Sequence, residues 1–369
     1  MKILQIINSL GTGGAEKLLL DTVPKYNALG VSMDVLVLNG TSYPFLGELK
    51  KHNDVKIYDF GNGTVYNPLH ALRIIKFLRK YDLVHVHLFP ALYWVGLAKF
   101  ISFSRTPLLF TEHNTSNRRR GNPIFKLLDK WMYSRYQKII TISSEVDAGI
   151  KNHLGFKSHR FEYIQNGAPV NEIKATIPAF RNEFDLGEQD QILIQVSSFT
   201  PQKDQQTLIR SLVHLDETVK LLLVGDGPLL NESKTLVNSL KLQDRVQFLG
   251  IRMDVPALLR MADTVVLSTH YEGLSLSSIE ALASGKPFVA SDAPGVTSML
   301  EGAGVLFPIG DDTTLAIEPK KLLQSKRHYD DVVTRCLTIA QEFSIEKMIE
   351  KHMSLFSEVI TKPIHKSSK

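Results

Sequence analysis

The arrangement of apolar residues limits the folds open to this chain more than any other feature. Short runs dense in β-branched and aliphatic residues alternate with longer segments of helical period. The runs are KILQII, DVLVL, VKIYDF, LVHVHL, PLLFTEH, KIITIS and FEYIQNG, then ILIQVSS, KLLLVGDG, VQFLG, TVVLST, PFVASD and VLF. A strand with one wet face alternates apolar and polar residues, whereas these runs are apolar nearly throughout, so both of their faces must be covered. Joining such strands through helices produces parallel sheets with helices on either side, the doubly wound α/β architecture. The runs fall into two groups. Between them lies GAPVNEIKATIPAFRNEFDLGEQD, residues 167–190, with prolines, charges and no clear period. At 369 residues the chain is also long for one domain. The expected organisation is residues 1–167, residues 168–344 and a closing segment 345–369. In that closing segment Ile345, Met348, Ile349, Met353, Phe356 and Ile360 form one apolar helical stripe, and KPIHKSSK trails as a tail.

Several classes are set aside by composition. A single cysteine, Cys336, excludes a disulfide framework and fits a reducing, cytoplasmic location. MKILQIINSLGTGG passes from an apolar run into a glycine loop without a small-residue cleavage site, so it reads as a strand and not a signal peptide. The longest apolar stretch, LFPALYWVGLAKFISF, is broken by Lys99 and falls short of the roughly 18 uncharged residues a spanning helix needs. The expectation is a soluble protein or one that rests on a membrane without crossing it. Residues 1–165 carry 22 Lys and Arg against 12 Asp and Glu, and the remainder 21 against 26. The basic N-terminal half suits an anionic lipid, a phosphorylated substrate or nucleic acid, or is an ordinary solvated surface.

In open α/β sheets ligands bind beyond the carboxyl ends of strands, and the residues with chemistry to offer sit there. NSLGTGGAEK follows the first run and opens a helix, so Gly13 and Gly14 let backbone NH groups approach an anion. VGDGP, with Gly225 and Gly227, reads the same way; either segment is equally an ordinary turn. The stretch HYEGLSLSSIEALASGKP is more informative. It predicts a strand at Thr264–Thr269, a loop over His270–Ser278 and a helix from Ile279, ended by Gly285 and Pro287. Amides at Leu274, Ser275 and Leu276 would face a phosphate at the helix mouth. Glu272 and Glu280, one on each side, would accept hydrogen bonds from the hydroxyls at the two ends of a nucleotide sugar. The alternative is a capping box formed by Ser277 and Glu280, with Glu272 a solvated loop residue. His85 and His87 alternate along one strand and so share a face; with no third ligand nearby, no metal site is expected.

EGLSLSSIEALASGKPFVAS resembles the E-x7-E signature of family 4 of the retaining glycosyltransferases, enzymes of the GT-B fold. The likeness extends over nearly the whole chain. SSFTPQKDQQTLI resembles the segment with the family's phosphate-binding lysine, VGDGP and QFLGIRMDVPALL its nucleotide-side loops, and GGAEK, VHVHLF, TEHN and YIQNG its acceptor-domain loops. This implies two Rossmann-like domains facing across a cleft, the first for the acceptor and the second for the donor. It implies catalytic roles for Lys203 on the departing diphosphate, Glu272 on the donor sugar's hydroxyls and His113 beside the reaction centre. Donor contacts would come from Gly14, Ser198, Gly225, Arg252, Gly273, Leu274, Ser275, Leu276 and Glu280, the last on the ribose. Gly13, His85, His87 and Asn166 would lie on the acceptor side.

The chain departs from the family pattern at one place. An arginine is frequent in the strand-end loop where this chain has Ser198 and Thr200. Either another cation serves the diphosphate, with Arg252 or the Gly14 amide helping, or the diphosphate binds more weakly. The implied activity is transfer of a sugar from a nucleotide diphosphate donor, UDP before GDP, to a lipid-linked or glycan acceptor in surface polysaccharide assembly. The resemblance implies no metal cofactor and no nucleic acid partner. It places the protein in the cytoplasm or on the inner face of the membrane. A nucleotide-sugar epimerase of the same fold and a non-catalytic sugar-nucleotide-binding module are the alternatives. Two segments are candidates to meet an anionic membrane. One is Arg118, Arg119 and Arg120 followed by Phe125, Leu127, Leu128, Trp131 and Met132 among Lys126, Lys130 and Arg135; the other is LYWVGLAKF. Ordinary helices packed on the sheet are the alternative for both.

Overall fold

The protein is described by a computed structural model over residues 1–114, 122–300 and 302–361. The chain divides into two compact units, Met1–Asn166 joined by the segment from Ile345 onward, and Gly167–Ser344. The first unit is therefore discontinuous in sequence. Its final piece, the helix Ile345–Thr361, does not stand apart as a third segment.

The apolar runs are strands, as their composition requires. In the first unit these are β1 (Lys2–Ile7), β2 (Ser32–Val37), β3 (Ile57–Asp59), β4 (Leu83–His87), β5 (Leu108–Glu112), β6 (Lys138–Thr141) and β7 (Phe161–Tyr163). In the second they are β8 (Gln191–Val196), β9 (Val219–Val224), β10 (Val246–Gly250), β11 (Thr264–Leu267), β12 (Phe288–Ser291) and β13 (Val305–Phe307). Every pairing is parallel, in the orders β3-β2-β1-β4-β5-β6-β7 and β10-β9-β8-β11-β12-β13. The central strands β1, β4 and β5 are buried along almost their whole length because helices cover both faces. The direction of winding reverses between β1 and β4 in one sheet and between β8 and β11 in the other. Loops at such a reversal diverge and leave a crevice at the carboxyl end. That geometry places the loops after β1, β4, β8 and β11 where a ligand can reach them.

Candidate active site

In the second unit the loops after β8 and β11 are tied together at the reversal. Gln195, 1% exposed near the end of β8, extends the sheet with its side chain: Oε1 accepts from Ser268 N at 2.9 Å, and Nε2 donates to Ser197 Oγ at 3.0 Å. Beyond it, His270 N donates to Gln202 O (2.9 Å) and Asp204 N to Ser268 O (3.0 Å). Gln202 Nε2 donates to Tyr271 O at 2.7 Å and Glu272 Oε2 at 3.3 Å. These bonds hold Lys203 and Glu272 side by side, and Lys203 Nζ pairs directly with Glu272 Oε1. The two side chains are only 11% and 5% exposed, so this is a buried ion pair whose charges have few other partners.

Two glycines permit these loops to lie so close. Gly225 (φ +136°) passes the β8 end so tightly that a Cβ would stand 2.1 Å from Ser197 O. Gly295 (φ +82°) does the same to the glutamate loop, 2.2 Å from Glu272 O. Both positions combine a left-handed backbone with no room for a side chain, so only glycine fits.

The helix after β11 starts at Leu276 and runs to Ala283, earlier than the expected Ile279, with Ser275 at its N-cap. Ser275 makes no capping bond; its hydroxyl instead shares a hydrogen bond with Ser277 Oγ at 2.9 Å. Ser277 lies inside the helix, so the Ser277–Glu280 capping box does not form the helix start. The first amides therefore keep the positive end of the helix dipole without a side-chain oxygen from Ser275 on them, which suits an anion. Gly273 and Leu274 lead into this turn, and Glu280, 6% exposed, sits one helical turn beyond it. Ser198 is exposed at the β8 end, its carbonyl accepting from Gln205 Nε2 at 2.9 Å. Arg252 follows β10, two strands from β8, and is held by Asp254 through Nε (2.8 Å) and Nη2 (2.6 Å), with its guanidinium 5.6 Å from the centre of the Phe184 ring. A lateral offset of about 10 Å follows from two strand spacings, which places Arg252 away from Lys203.

In the first unit the corresponding crevice is lined differently. Gly13 caps and Gly14 begins the helix Gly14–Ala28. The chain's own Glu16 carboxyl folds over that turn, with Oε2 2.6 Å from where a Gly13 Cβ would stand, and burial raises its pKa. An anion arriving at Gly14 would meet this group first. His113 follows β5 in the segment whose backbone Glu112 anchors: Oε1 accepts from Asn114 N (3.1 Å) and Oε2 from the Tyr133 hydroxyl (2.6 Å). His85 and His87 do share a face, with ring centres 4.3 Å apart, but they are 1% and 3% exposed and bond inward. His85 Nε2 meets Thr111 Oγ1 at 2.7 Å; His87 bridges Gln5 and His113. Neither ring reaches the surface: His87 lies against His113, and His85 is packed among Thr111, His352 and Phe356. Asn166, 7% exposed, is the last residue before the chain enters the second unit.

Two family models match the chain. "Glycosyltransferase Family 4" covers residues 12–172 and "Glycosyl transferases group 1" covers residues 176–335. The chain belongs to the family 4 glycosyltransferases. Among curated relatives, the N-acetyl-alpha-D-glucosaminyl L-malate synthase of Bacillus anthracis is 29% identical over 51% of this chain and 50% of its own length, so the match spans half of that relative. A Campylobacter jejuni enzyme is 25% identical over 97% of this chain and 99% of its own. Its name is GalNAc-alpha-(1->4)-GalNAc-alpha-(1->3)-diNAcBac-PP-undecaprenol alpha-1,4-N-acetyl-D-galactosaminyltransferase. Among solved structures, Anabaena Alr3699/HepE in complex with UDP-glucose superposes with a TM-score of 0.84 at 24% identity, over 97% of this chain and 100% of that one. The fold is thus that of the GT-B glycosyltransferases.

Several polar residues that tie these loops and rings together were not singled out by sequence reasoning: Gln5, Thr111, Gln195 and His352. His352, on the helix Ile345–Thr361, accompanies the predicted stripe and lies buried against His85 and Phe356, its Nδ1 2.7 Å from the Tyr26 hydroxyl. Among the described residues no three His, Cys, Asp or Glu side chains are arranged to hold a metal ion, and no helix is long and apolar enough to cross a membrane. The LYWVGLAKF segment is packed on the sheet, with Leu92, Tyr93, Val95 and Ala98 buried and Trp94 Nε1 donating to Val65 O at 2.8 Å. The helix Pro123–Tyr133 differs: Ile124 and Leu127 are 76% and 73% exposed, and only Asp129, Met132 and Tyr133 are buried. Arg118, Arg119 and Arg120 lie outside the described residues.

Proposed function

We propose that the protein transfers a hexosyl group from a nucleoside diphosphate sugar, a UDP-sugar foremost, to an acceptor hydroxyl with retention of anomeric configuration. The observation that carries this reading is the pairing of Lys203 with Glu272 beside the helix start that leads to Glu280. A carboxylate for sugar hydroxyls, a cation for the diphosphate and a carboxylate for the ribose are the groups a nucleotide sugar calls for. UDP-glucose in the HepE structure supports the choice of base.

Lys203 and the amides of Leu274 to Leu276 hold the diphosphate, with Gly273 and Ser198 beside it. As the bond from anomeric carbon to phosphate oxygen breaks, negative charge grows on the diphosphate, and a fixed cation stabilises that state more than the ground state. No metal is required for this. The acceptor oxygen forms its bond on the face the diphosphate leaves, and its proton passes to the departing phosphate oxygen; no side-chain base is assigned. The family likeness assigns His113 to the transferred sugar. The relative acting on a polyprenol-linked glycan supports a lipid-linked acceptor in surface glycan assembly, and with it a working position at the inner face of the membrane. The exposed apolar side of the helix Pro123–Tyr133, with Lys126 and Lys130 on the same helix, is the surface that would rest on anionic lipid.

Calorimetric titration with UDP and with UDP-sugars tests the assignment. Glu280→Ala should weaken both ligands, whereas Glu272→Ala should spare UDP and weaken only the intact donor. Equal loss of UDP binding in both variants would show that the ribose and sugar ends are wrongly assigned.

A further inference from the structure

Behind His113 runs a chain of hydrogen bonds whose direction is decided at its far end. Gln5 on β1 is 3% exposed, and its amide Nε2 lies 3.3 Å from Met33 Sδ. A thioether has no hydrogen to give, so the amide can only donate to it. The Nε2 end of Gln5 must therefore face Met33, and Oε1 must face His87, whose Nε2 lies 2.8 Å away. The reverse orientation would set a carbonyl oxygen against sulfur lone pairs. An amide oxygen only accepts, so His87 Nε2 carries a proton.

Burial holds the pKa of His87 well below its ordinary value and that of His113 at about 4, so each ring bears a single proton at neutral pH. With its proton on Nε2, His87 has a bare lone pair on Nδ1. The next ring nitrogen, His113 Nε2, stands 3.0 Å away and must be the donor. The proton of His113 is thereby committed inward. Its Nδ1 is left as a lone-pair acceptor with no hydrogen-bond partner among the described residues.

We propose that Gln5 is a positioning residue that, through His87, locks His113 in the Nε2–H tautomer, so that His113 offers the donor sugar an acceptor at Nδ1. This rests on the reading of His113 as the group facing the transferred sugar. It restricts the substrate: the sugar must present a hydroxyl at that point, and a deoxy or O-alkylated sugar leaves the nitrogen unpaired. A site built to accept from a hydroxyl discriminates against an analogue lacking it more strongly than an apolar pocket discriminates by size.

NMR of the full-length protein with 15N-labelled histidine reads the tautomers directly, His113 being assigned from the spectrum of His113→Gln. Wild type should show a bare Nδ1 and a protonated Nε2 at both His87 and His113. Gln5→Leu, which removes the acceptor, should mix the tautomers of His113. Gln5→Glu, whose carboxylate accepts as the amide oxygen does, should restore the wild-type pattern. A protonated Nδ1 on wild-type His113 overturns the proposal even if Gln5→Leu fails to fold, as does an unchanged tautomer in a folded Gln5→Leu. In calorimetry Gln5→Leu should bind UDP-glucose about tenfold more weakly and UDP as wild type does. A shifted tautomer with unchanged UDP-glucose affinity refutes the hydroxyl contact. Failure of wild type to bind any UDP-sugar would instead sink the glycosyl-transfer reading and leave the tautomer result in place.

Discussion

Lys203 and Glu272 satisfy one another while no donor is bound. Removing one partner of a buried pair strands the other charge, at a cost of about 3–5 kcal/mol. Lys203→Ala should therefore lower the thermal midpoint as well as turnover, and adding Glu272→Gln should recover the midpoint without recovering turnover, as scanning calorimetry beside a transfer assay would show. A single variant with full stability would mean that the pair is already hydrated, and undiminished turnover would remove Lys203 from the chemistry. The legibility of these residues in the sequence differs by kind. Lys203 and Glu272 stand in loops after strands and Glu280 in the first turns of the helix that follows, places where a buried charge has no packing reason to be, so spacing and likeness expose them. Gln5 and Gln195 are single polar residues inside apolar runs. Their partners come from strands far away in sequence, Gln5 lying opposite His85 through the β1–β4 register, and one sequence does not carry that register.

Individual elements behaved as their apolar content requires, while their ends did not always. Every strand of both sheets coincides with an apolar run, β2, β8 and β9 starting one or two residues ahead of theirs, because burial on both faces leaves a plain compositional trace. The helix at Leu276 began early because Ser275 closes the loop without a capping bond, a conformation no residue pattern announces. For the helix Pro123–Tyr133, exposure of Ile124 and Leu127 predicts binding to anionic vesicles that fades with salt and is weakened by Ile124→Ser with Leu127→Ser. Co-sedimentation measures it, and equal binding to neutral vesicles, or binding to neither, would argue against a membrane role. The helix Ile345–Thr361 carries a pH dependence. Burial, aided by the charge of His113, depresses the His352 pKa from 6.5 to about 3. Between those values the unfolded chain takes up a proton that the folded chain refuses, so this stability is complete above pH 6.5 and is lost as pH falls. At pH 5 the loss is about 2 kcal/mol. His352→Gln should flatten the fall in thermal midpoint between pH 7 and pH 5, whereas parallel slopes would show that the ring is hydrated.

At the scale of the whole molecule, the second unit is one continuous stretch, Gly167–Ser344, and the first is not. Residues 167–344 expressed alone should unfold cooperatively and bind UDP. Residues 1–166 alone would expose the faces of Tyr26 and His85 that His352 and Phe356 cover, and should bind a hydrophobic dye until a peptide of residues 345–361 is added. A cooperative, dye-silent 1–166 fragment would show that the last helix is dispensable. The same discontinuity imposes an order on the newborn chain. Synthesis runs from the N-terminus at about 5–20 residues per second, so the opening half of the protein waits on the order of ten to forty seconds for its closing helix. The middle of the gene product can be finished and folded before the beginning is. Until the ribosome has delivered His352 and Phe356, the histidine bed beneath His113 stays open to water, and a nascent chain stalled after Ser344 but before His352 would carry every residue of the second unit and an unfinished first one.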